Sequence, residues 1–231
     1  MCGRFVQTSS PERLAQLFAA TDVTEHPVGE RFNVAPSTPI PAVIDADGRR
    51  LGTLRWGFVP SWARDPDGGP RPINARVEGA ATSRLFSPSL ARRRCVVPVD
   101  GWYEWTDEDG ARQPWLLRPT TDAPLAVGAL WSVWNAPDGP ADAPAVSTVA
   151  LMTTEAHGTA ADVHHRMPLI VPDELLDAWL DLRAPADETL LRELAARPVP
   201  VDVVRVSRRV NDVRNEGPDL LASETGPQPG P

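Results

Sequence analysis

The chain has 231 residues, of which 42% are hydrophobic and 23% are charged, so it can bury a core and form one large domain or two small ones. Its formal net charge of −8 argues against a protein that coats nucleic acid through bulk electrostatics, because such domains are usually strongly basic. It has only two cysteines, no apolar run near the ~20 residues of a membrane span and no secretory signal, which indicates a cytoplasmic protein without disulfides, zinc or a membrane span.

The basic residues are unevenly distributed and all of one kind. Residues 1–105 contain 13 arginines and 11 acidic residues, whereas residues 106–231 contain 10 arginines and 20 acidic residues. A basic groove would therefore be built mainly from the first half. The chain contains no lysine, so its α-amino group is the only primary amine. GC-rich coding is the simplest origin of this arginine usage, but the chemical consequence is the same.

The predicted elements begin with a helix over residues 11–20, where Ser10 can cap the first turn and Pro11 suits the first helical position. A β-hairpin is predicted over residues 40–58, around a turn at 45–48. Short strands separated by turns are expected at residues 95–99, 101–105, 113–117, 125–134 and 145–153. The middle of the chain should therefore be mostly antiparallel sheet.

Helical spacing returns at residues 173–182 and 187–196, and a strand is predicted at 201–206. The 26 prolines fit many short segments better than long helices. Residues 223–231 contain almost nothing apolar and are expected to form a disordered tail. No repeat or interdomain linker is visible, so residues 1–222 are predicted to form a single domain.

Cys2 follows the initiator methionine, whose removal is expected because the second residue is small. The new terminus would carry an amine and a thiol on neighbouring carbons. An α-amino group with a pKa of about 7.8 attacks aldehydes far more readily than a lysine, and a thiol can then close a five-membered thiazolidine ring. The alternative is an ordinary residue at a frayed terminus. Cys95, in an apolar strand pattern, is predicted to be a small core residue.

Asn74 and Arg76 alternate with apolar residues, so they should share one face of a strand or of its end. An amide can orient a sugar hydroxyl or carbonyl, and a guanidinium can hold a phosphate through two parallel hydrogen bonds. The pattern alone is weak, because an edge asparagine and a surface arginine are both common.

Two further motifs contain groups suited to proton transfer. Glu104 is flanked by Trp102, Tyr103 and Trp105, and burial among such rings would raise its pKa; the alternative is a core strand with an exposed glutamate. His164 and His165 are neighbours in an extended segment, so at most one should face a site, and no companion residues have metal-ligand spacing.

Residues 55–62 interleave Trp56, Phe58 and Trp62 with Arg55, which is the composition of a platform for stacked bases. Tryptophan is also a large core residue, and at least half of the eight tryptophans are expected to be buried for packing.

Together and in this order, the motifs resemble the SOS response-associated peptidase family, whose members shield abasic sites in DNA by crosslinking to them. The matching segments are residues 1–5, 31–36, 55–62, 74–76, 94–105, 153–156, 164–168 and 206–211. The resemblance implies an α+β fold of curved, barrel-like antiparallel β-sheets with peripheral helices. It also implies a groove for single-stranded DNA that ends at the terminal cysteine.

The resemblance assigns roles to individual residues. Cys2 would be the crosslinking nucleophile, Asn74 would position the open sugar, and Glu104 would act in acid–base steps and in N-terminal processing. His164 would assist ring opening and proton transfer. The residues expected to contact DNA are Arg4, Asn33, Trp56, Trp62, Arg76 and Arg166. No metal or organic cofactor is implied, and a monomer is expected.

The sequence departs from the family pattern in two ways. His165 stands where the family usually has an acidic residue, which could change the pKa or tautomer of His164. The absence of lysine leaves DNA binding to arginine and the backbone. An imine that does not close to a ring could also promote strand cleavage, so a lyase side activity is expected as well.

Two other functions remain open. Glutamine amidotransferases with an N-terminal nucleophile also begin Met-Cys-Gly, so Cys2 could attack a glutamine amide, although that leaves the tryptophan-rich segment and residues 164–168 without a use. A non-catalytic single-strand binder would retain DNA in a salt-sensitive manner without forming a bond that survives denaturant.

Overall fold

The computed structural model describes residues 2–25, 28–137, 140, 144–184, 186–226 and 228–229. Its strands are β1 (Phe5–Gln7), β2 (Thr21–Asp22), β3 (Arg31–Val34), β4 (Pro39–Asp45), β5 (Arg49–Trp56), β6 (Asn74–Arg76), β7 (Arg94–Val99), β8 (Gly101–Glu108), β9 (Ala111–Pro119), β10 (Leu125–Trp134), β11 (Val146–Glu155), β12 (Arg166–Pro168) and β13 (Val201–Arg205). Its helices are α1 (Pro11–Leu17), α2 (Val77–Ala80), α3 (Ser87–Arg92), α4 (Asp173–Leu180) and α5 (Glu188–Ala196), and short 3₁₀ helices span Gly158–Asp162, Arg208–Asn211 and Pro218–Leu221. None of the helices within the described ranges has the length and apolar character needed to cross a membrane.

Five strands close into a small barrel. β11, β10, β7, β4 and β5 follow one another in antiparallel pairs, and a short parallel pairing of β5 with β11 closes the ring. β12 and β6 then flank the far end of β11, one on each edge. Together with the peripheral helices, this confirms the predicted α+β class with barrel-like sheets.

A second sheet, in the order β13-β9-β8-β1-β3, shares a core with the barrel. Alternate residues of each barrel strand face this shared core, where Trp56 and Val97 pack with Phe5 and Trp102 of the second sheet. The intervening residues of the barrel strands pack against α1, α4 and α5. Trp179 of α4 belongs to this second cluster. Five of the eight tryptophans are buried, which confirms the expectation of at least half.

The longer predicted elements are confirmed with small shifts. The hairpin is β4–β5, and its turn places Asp47 and Gly48 at positive φ, as a tight turn requires. The helix predicted over 11–20 begins as expected, with the Ser10 side chain accepting from the Arg13 N–H. It ends at Leu17, because Ala19 adopts a left-handed conformation at φ 48°.

The start of the predicted tail contacts the second sheet. Ser223 forms a bridge with Val206, and the N–H of Glu224 donates to the carbonyl of Arg205 at 2.9 Å. Pro227, Gly230 and Pro231 lie outside the described residues, so the disorder expected for 223–231 stays a prediction.

Candidate active site

Cys2 lies shortly before β1 in the chain and packs between the two sheets. β1 pairs with β8, and the N–H of Tyr103 donates to the carbonyl of Arg4 at 2.9 Å, which extends the pairing towards Cys2. Asp100 secures the other end of β1 by accepting from the N–H groups of Thr8 and Ser9. The Cys2 side chain is fully buried, so Cys2 is packed into the protein rather than exposed in a frayed segment.

Asn74 forms a hydrogen bond with the backbone of Cys2. It begins β6, which pairs with β11, and its Nδ2 donates to the carbonyl oxygen of Cys2 at 2.9 Å. Its Oδ1 is buried and has no hydrogen-bond partner among the described residues. Because a buried acceptor without a partner is costly, this atom is suited to accept a hydrogen bond from a bound ligand.

Glu104 lies on β8 and is buried, with 3% of its surface exposed. The alternative of a core strand with an exposed glutamate is therefore wrong. Burial raises the pKa of Glu104 above its ordinary value, so the carboxyl holds a proton to higher pH than a surface glutamate does. It lines a cavity of about 550 Å³ together with His164 and the backbone of Gly3.

His164 enters this cavity from the segment that follows the 3₁₀ helix Gly158–Asp162. Nδ1 of His164 lies 2.9 Å from the N–H of Arg166, which can only donate, and 3.2 Å from the Arg166 carbonyl oxygen; the shorter contact favours the neutral tautomer with its proton on Nε2. The ring of His165 stacks on that of His164, with 4.2 Å between centroids. Burial lowers the pKa of His164, and the neighbouring His165 acts in the same direction.

Both cysteine thiols are protonated in this arrangement. Burial raises the pKa of Cys2, and the nearby Glu104 charge adds to the effect. Burial alone raises the pKa of Cys95, which lies in the shared core as predicted. A reaction at Cys2 therefore requires a group that takes the thiol proton as the bond forms.

The cavity also contains three residues that the sequence did not single out as site residues: Trp105, Arg112 and Asn211. Nε1 of Trp105 donates to Oδ1 of Asn211 at 2.7 Å, and the Arg112 guanidinium lies 5.0 Å from the Trp105 ring centroid. The sequence did not identify Arg112 as a site residue, because the β8–β9 hairpin that contains it has an ordinary composition.

Three of the residues that were expected at the DNA are buried and make structural contacts. Nδ2 of Asn33 donates to the carbonyls of Val210, Asp212 and Asn215, and Trp56 is fully buried with Nε1 bonded to the Ile73 carbonyl. The guanidinium of Arg166 pairs with Glu78. Asn33, Trp56 and Arg166 therefore have structural contacts in this structure, and their contact with DNA stays a prediction.

The remaining predicted DNA contacts are accessible to different degrees. Trp62 is 69% exposed, and Arg76 is exposed at the end of β6, beside cavities of about 530 and 850 Å³. Arg4 is half-buried, and its Nη1 donates to Oδ1 of Asn33 at 2.8 Å. These three positions also stay predictions as DNA contacts.

Replacing Glu104 with glutamine should change how stability depends on pH. Because burial raises the Glu104 pKa above 4.5, the folded state binds more protons than the unfolded state from about that pH upward, and stability is lost as pH rises. We expect the free energy of unfolding of Glu104→Gln, relative to the parent protein, to increase between pH 4.5 and 7. Urea unfolding at several pH values measures this, and a difference that is constant with pH would contradict it.

The family model described as SOS response associated peptidase (SRAP) matches residues 1–213. The chain is 34% identical over 231 residues to "Abasic site processing protein YoqW" of Bacillus subtilis, covering 96% of this chain and all of that protein. It is 32% identical to "Abasic site processing protein YedK" of Escherichia coli, covering 96% and 99%, and 27% identical to "Abasic site processing protein HMCES" of Gallus gallus, covering 96% and 77%.

Solved structures share the fold. A protein from Bacteroides thetaiotaomicron superposes with a TM-score of 0.81 at 17% identity, covering 97% of this chain and all of the other. A protein from Bordetella bronchiseptica superposes with a TM-score of 0.69 at 24% identity, covering 89% of this chain and all of the other. With the family model matched over 213 residues and this similarity to its curated relatives, the chain belongs to the SOS response associated peptidase family.

Proposed function

We propose that this protein processes abasic sites in single-stranded DNA by forming a covalent bond to them through Cys2 after loss of Met1. The observation that carries the proposal is the convergence of four residues from separate segments at one site: Cys2, Asn74, Glu104 and His164. The curated relatives are named abasic site processing proteins, which supports an abasic site as the target. Met1 lies outside the described residues, so its removal stays part of the proposal.

The proposed reaction condenses one amine, one thiol and one aldehyde. The α-amine of processed Cys2 attacks the C1′ aldehyde carbon of the open sugar, forms a C–N bond and, by loss of water, yields an imine. The Cys2 sulfur then bonds to the imine carbon, and the thiol proton ends on the ring nitrogen. The products are a thiazolidine and one water molecule, and no oxidant or reductant is needed.

The neighbouring groups have protonation states that suit these steps. Glu104, with its raised pKa, can take a proton from the attacking amine and return it to the departing hydroxyl. The Nε2–H of neutral His164 can donate to the sugar oxygen as the ring opens. The unpartnered Oδ1 of Asn74 can accept from a sugar hydroxyl beside Cys2.

Two side reactions belong to the same proposal. An imine that does not close can promote elimination at the sugar, which gives a lyase activity. Glu104 would also assist hydrolysis of the bond between Met1 and Cys2, and its position as a buried acid near Cys2 supports this role. The activity would then act on the protein's own terminus rather than on other proteins.

The test is a denaturing gel of the Met1-free protein mixed with single-stranded DNA that carries one abasic site. We expect a shifted band that survives denaturant and requires the aldehyde, because reduced abasic DNA and intact DNA offer no electrophile. The absence of any shift would reject the proposal. Glutaminase activity in place of the band would favour the amidohydrolase alternative, and salt-sensitive retention alone would favour a non-catalytic binder.

A further inference from the structure

The Arg112 side chain is exposed and lines the cavity that also contains Glu104. Within the described part of the chain, no group accepts a hydrogen bond from its guanidinium and no carboxylate forms an ion pair with it. Asp107 faces Arg112 across the hairpin, but its Oδ1 accepts from the N–H of Gly110 at 3.0 Å instead. The donors of the Arg112 guanidinium are therefore available to a ligand.

The Arg112 guanidinium is nevertheless held in place by its neighbours. It lies over the Trp105 ring, 5.0 Å from the ring centroid, and that ring is fixed by the bond from its Nε1 to Oδ1 of Asn211 at 2.7 Å. Nδ2 of Asn211 donates in turn to the backbone carbonyl of Arg112 at 3.0 Å. Because a side chain that is already ordered loses less entropy on binding, this support favours Arg112 as a ligand-binding residue.

Arg4 is a second cation at this cavity, but its donors are partly used within the protein. Its guanidinium lies 5.7 Å from the centroid of the Trp105 ring. Nη1 of Arg4 donates to Oδ1 of Asn33 at 2.8 Å and to the carbonyl of Val210 at 3.0 Å. Arg4 thus adds positive charge while joining β1 to these neighbours, whereas Arg112 has its donors free of such bonds.

The charge of the cavity suits an anion. Its wall includes the guanidinium groups of Arg4 and Arg112 and one carboxyl, that of Glu104, so the local charge is positive whether or not Glu104 is ionised. This holds although the whole chain has a net charge of −8. A guanidinium binds a phosphate through two parallel hydrogen bonds, and the nucleotide that reacts at Cys2 has a phosphodiester on each side of its sugar.

We propose that Arg112 binds a phosphodiester directly next to the abasic sugar and so helps to place the aldehyde at Cys2. This inference rests on the proposed function. Trp105 and Asn211 act through Arg112 as positioning residues, since they orient its guanidinium. A phosphate contact fixes the register of the DNA and contributes to affinity, not to proton transfer.

The first test replaces Arg112 with glutamine, which removes the charge and the two-pronged donor. Binding is measured by fluorescence anisotropy with single-stranded DNA that carries a reduced abasic site, which has no aldehyde and forms no crosslink. We expect the half-saturating DNA concentration to rise about tenfold. The slope of log K against log salt should fall in magnitude by about 0.7, the value for one phosphate of a single strand. The maximum crosslinking rate with aldehyde-bearing DNA should stay within about threefold of the parent rate.

A second test locates the phosphate. Three DNAs each carry one uncharged methylphosphonate linkage, placed on the 5′ side of the abasic nucleotide, on its 3′ side, or several nucleotides away. We expect one of the two adjacent replacements to weaken binding to the parent protein about tenfold and to have little further effect on Arg112→Gln, because the two changes remove the same contact. The distant replacement should act equally on both proteins.

The matched control is Arg118→Gln. Arg118 is exposed on the same strand β9, outside the residues that line the cavity, with its Nε 4.0 Å from a carboxylate oxygen of Asp202. Its replacement removes the same charge and should change DNA affinity by less than about twofold. Arg112→Lys keeps the charge without the fork, so it should restore the salt dependence and only part of the affinity.

The outcomes separate this inference from the proposed function. If the parent protein forms no crosslink, the proposed function fails. If the parent crosslinks and Arg112→Gln binds DNA as well as Arg118→Gln does, the phosphate contact is overturned and the proposed function stands. Full additivity of Arg112→Gln with both adjacent methylphosphonates would also overturn it. A shift in the pH profile of the maximum rate at unchanged affinity would overturn it as well, because Arg112 would then act on Glu104.

Discussion

Replacing Cys2 with alanine is expected to remove the heat- and denaturant-resistant bond to abasic DNA, lowering its yield on the order of 10³-fold or more. The α-amine remains at residue 2 of this variant, so an imine can still form, but no sulfur is available to close the ring. Treatment with borohydride during the reaction should therefore still trap Cys2→Ala on DNA. The measurement is a denaturing gel of heated samples with and without borohydride.

The matched control for this experiment is Cys95→Ala. Cys95 is the other buried thiol, in the shared core, and its loss should cost about 1 kcal/mol of stability without affecting the bond to DNA. A heat-stable band in Cys2→Ala would show that sulfur takes no part. A band that disappears in both variants would point to a general effect of thiol loss or unfolding.

Replacing Glu104 with glutamine is expected to slow crosslinking by about 10²–10⁴-fold, the usual range for a lost acid–base group. Glutamine keeps the size of the side chain and cannot shuttle a proton. Binding to intact single-stranded DNA should change by less than about twofold, since uniform binding does not depend on proton transfer. Single-turnover crosslinking rates and fluorescence anisotropy with intact DNA measure the two effects.

Glu108→Gln provides the control on the same strand. Glu108 lies four residues beyond Glu104 on β8, outside the residues that line the cavity, and pairs with Arg205. Its replacement should leave the crosslinking rate of the folded protein unchanged. Equal losses of rate and of binding in Glu104→Gln would count against proton transfer and assign Glu104 to DNA binding or packing.

Sequence patterns alone were sufficient to predict the helices and strands with the clearest apolar periodicity. β10 was predicted residue for residue, and α4 and α5 were predicted within two residues at each end. These elements run over eight to ten residues, long enough for apolar periodicity to show, and are bounded by turn residues. The short strands β1, β3, β6 and β12 have three or four residues each, too few for a period, and were not assigned in full.

The sequence by itself also determined which residues could carry the chemistry. Cys2, Asn74, Glu104 and His164 were named from their residue types and motifs, through the resemblance to one family. Their types depend on chemistry that is local to each side chain: an amine beside a thiol, an amide, a carboxyl among aromatic rings and an imidazole. Local signals of this kind need no knowledge of distant contacts.

Only the tertiary structure decided which of these residues meet and which polar or aromatic residues turn inward. Trp56 is enclosed because β5 closes the barrel against β11, and Arg166 is enclosed because Glu78, 88 positions earlier, comes to lie across β11. Burial of this kind depends on strand pairing between distant segments, whereas a local pattern contains only neighbours along the chain. For the same reason, the sequence did not predict the ion pair between Arg166 and Glu78, which requires β6, β11 and β12 to lie side by side.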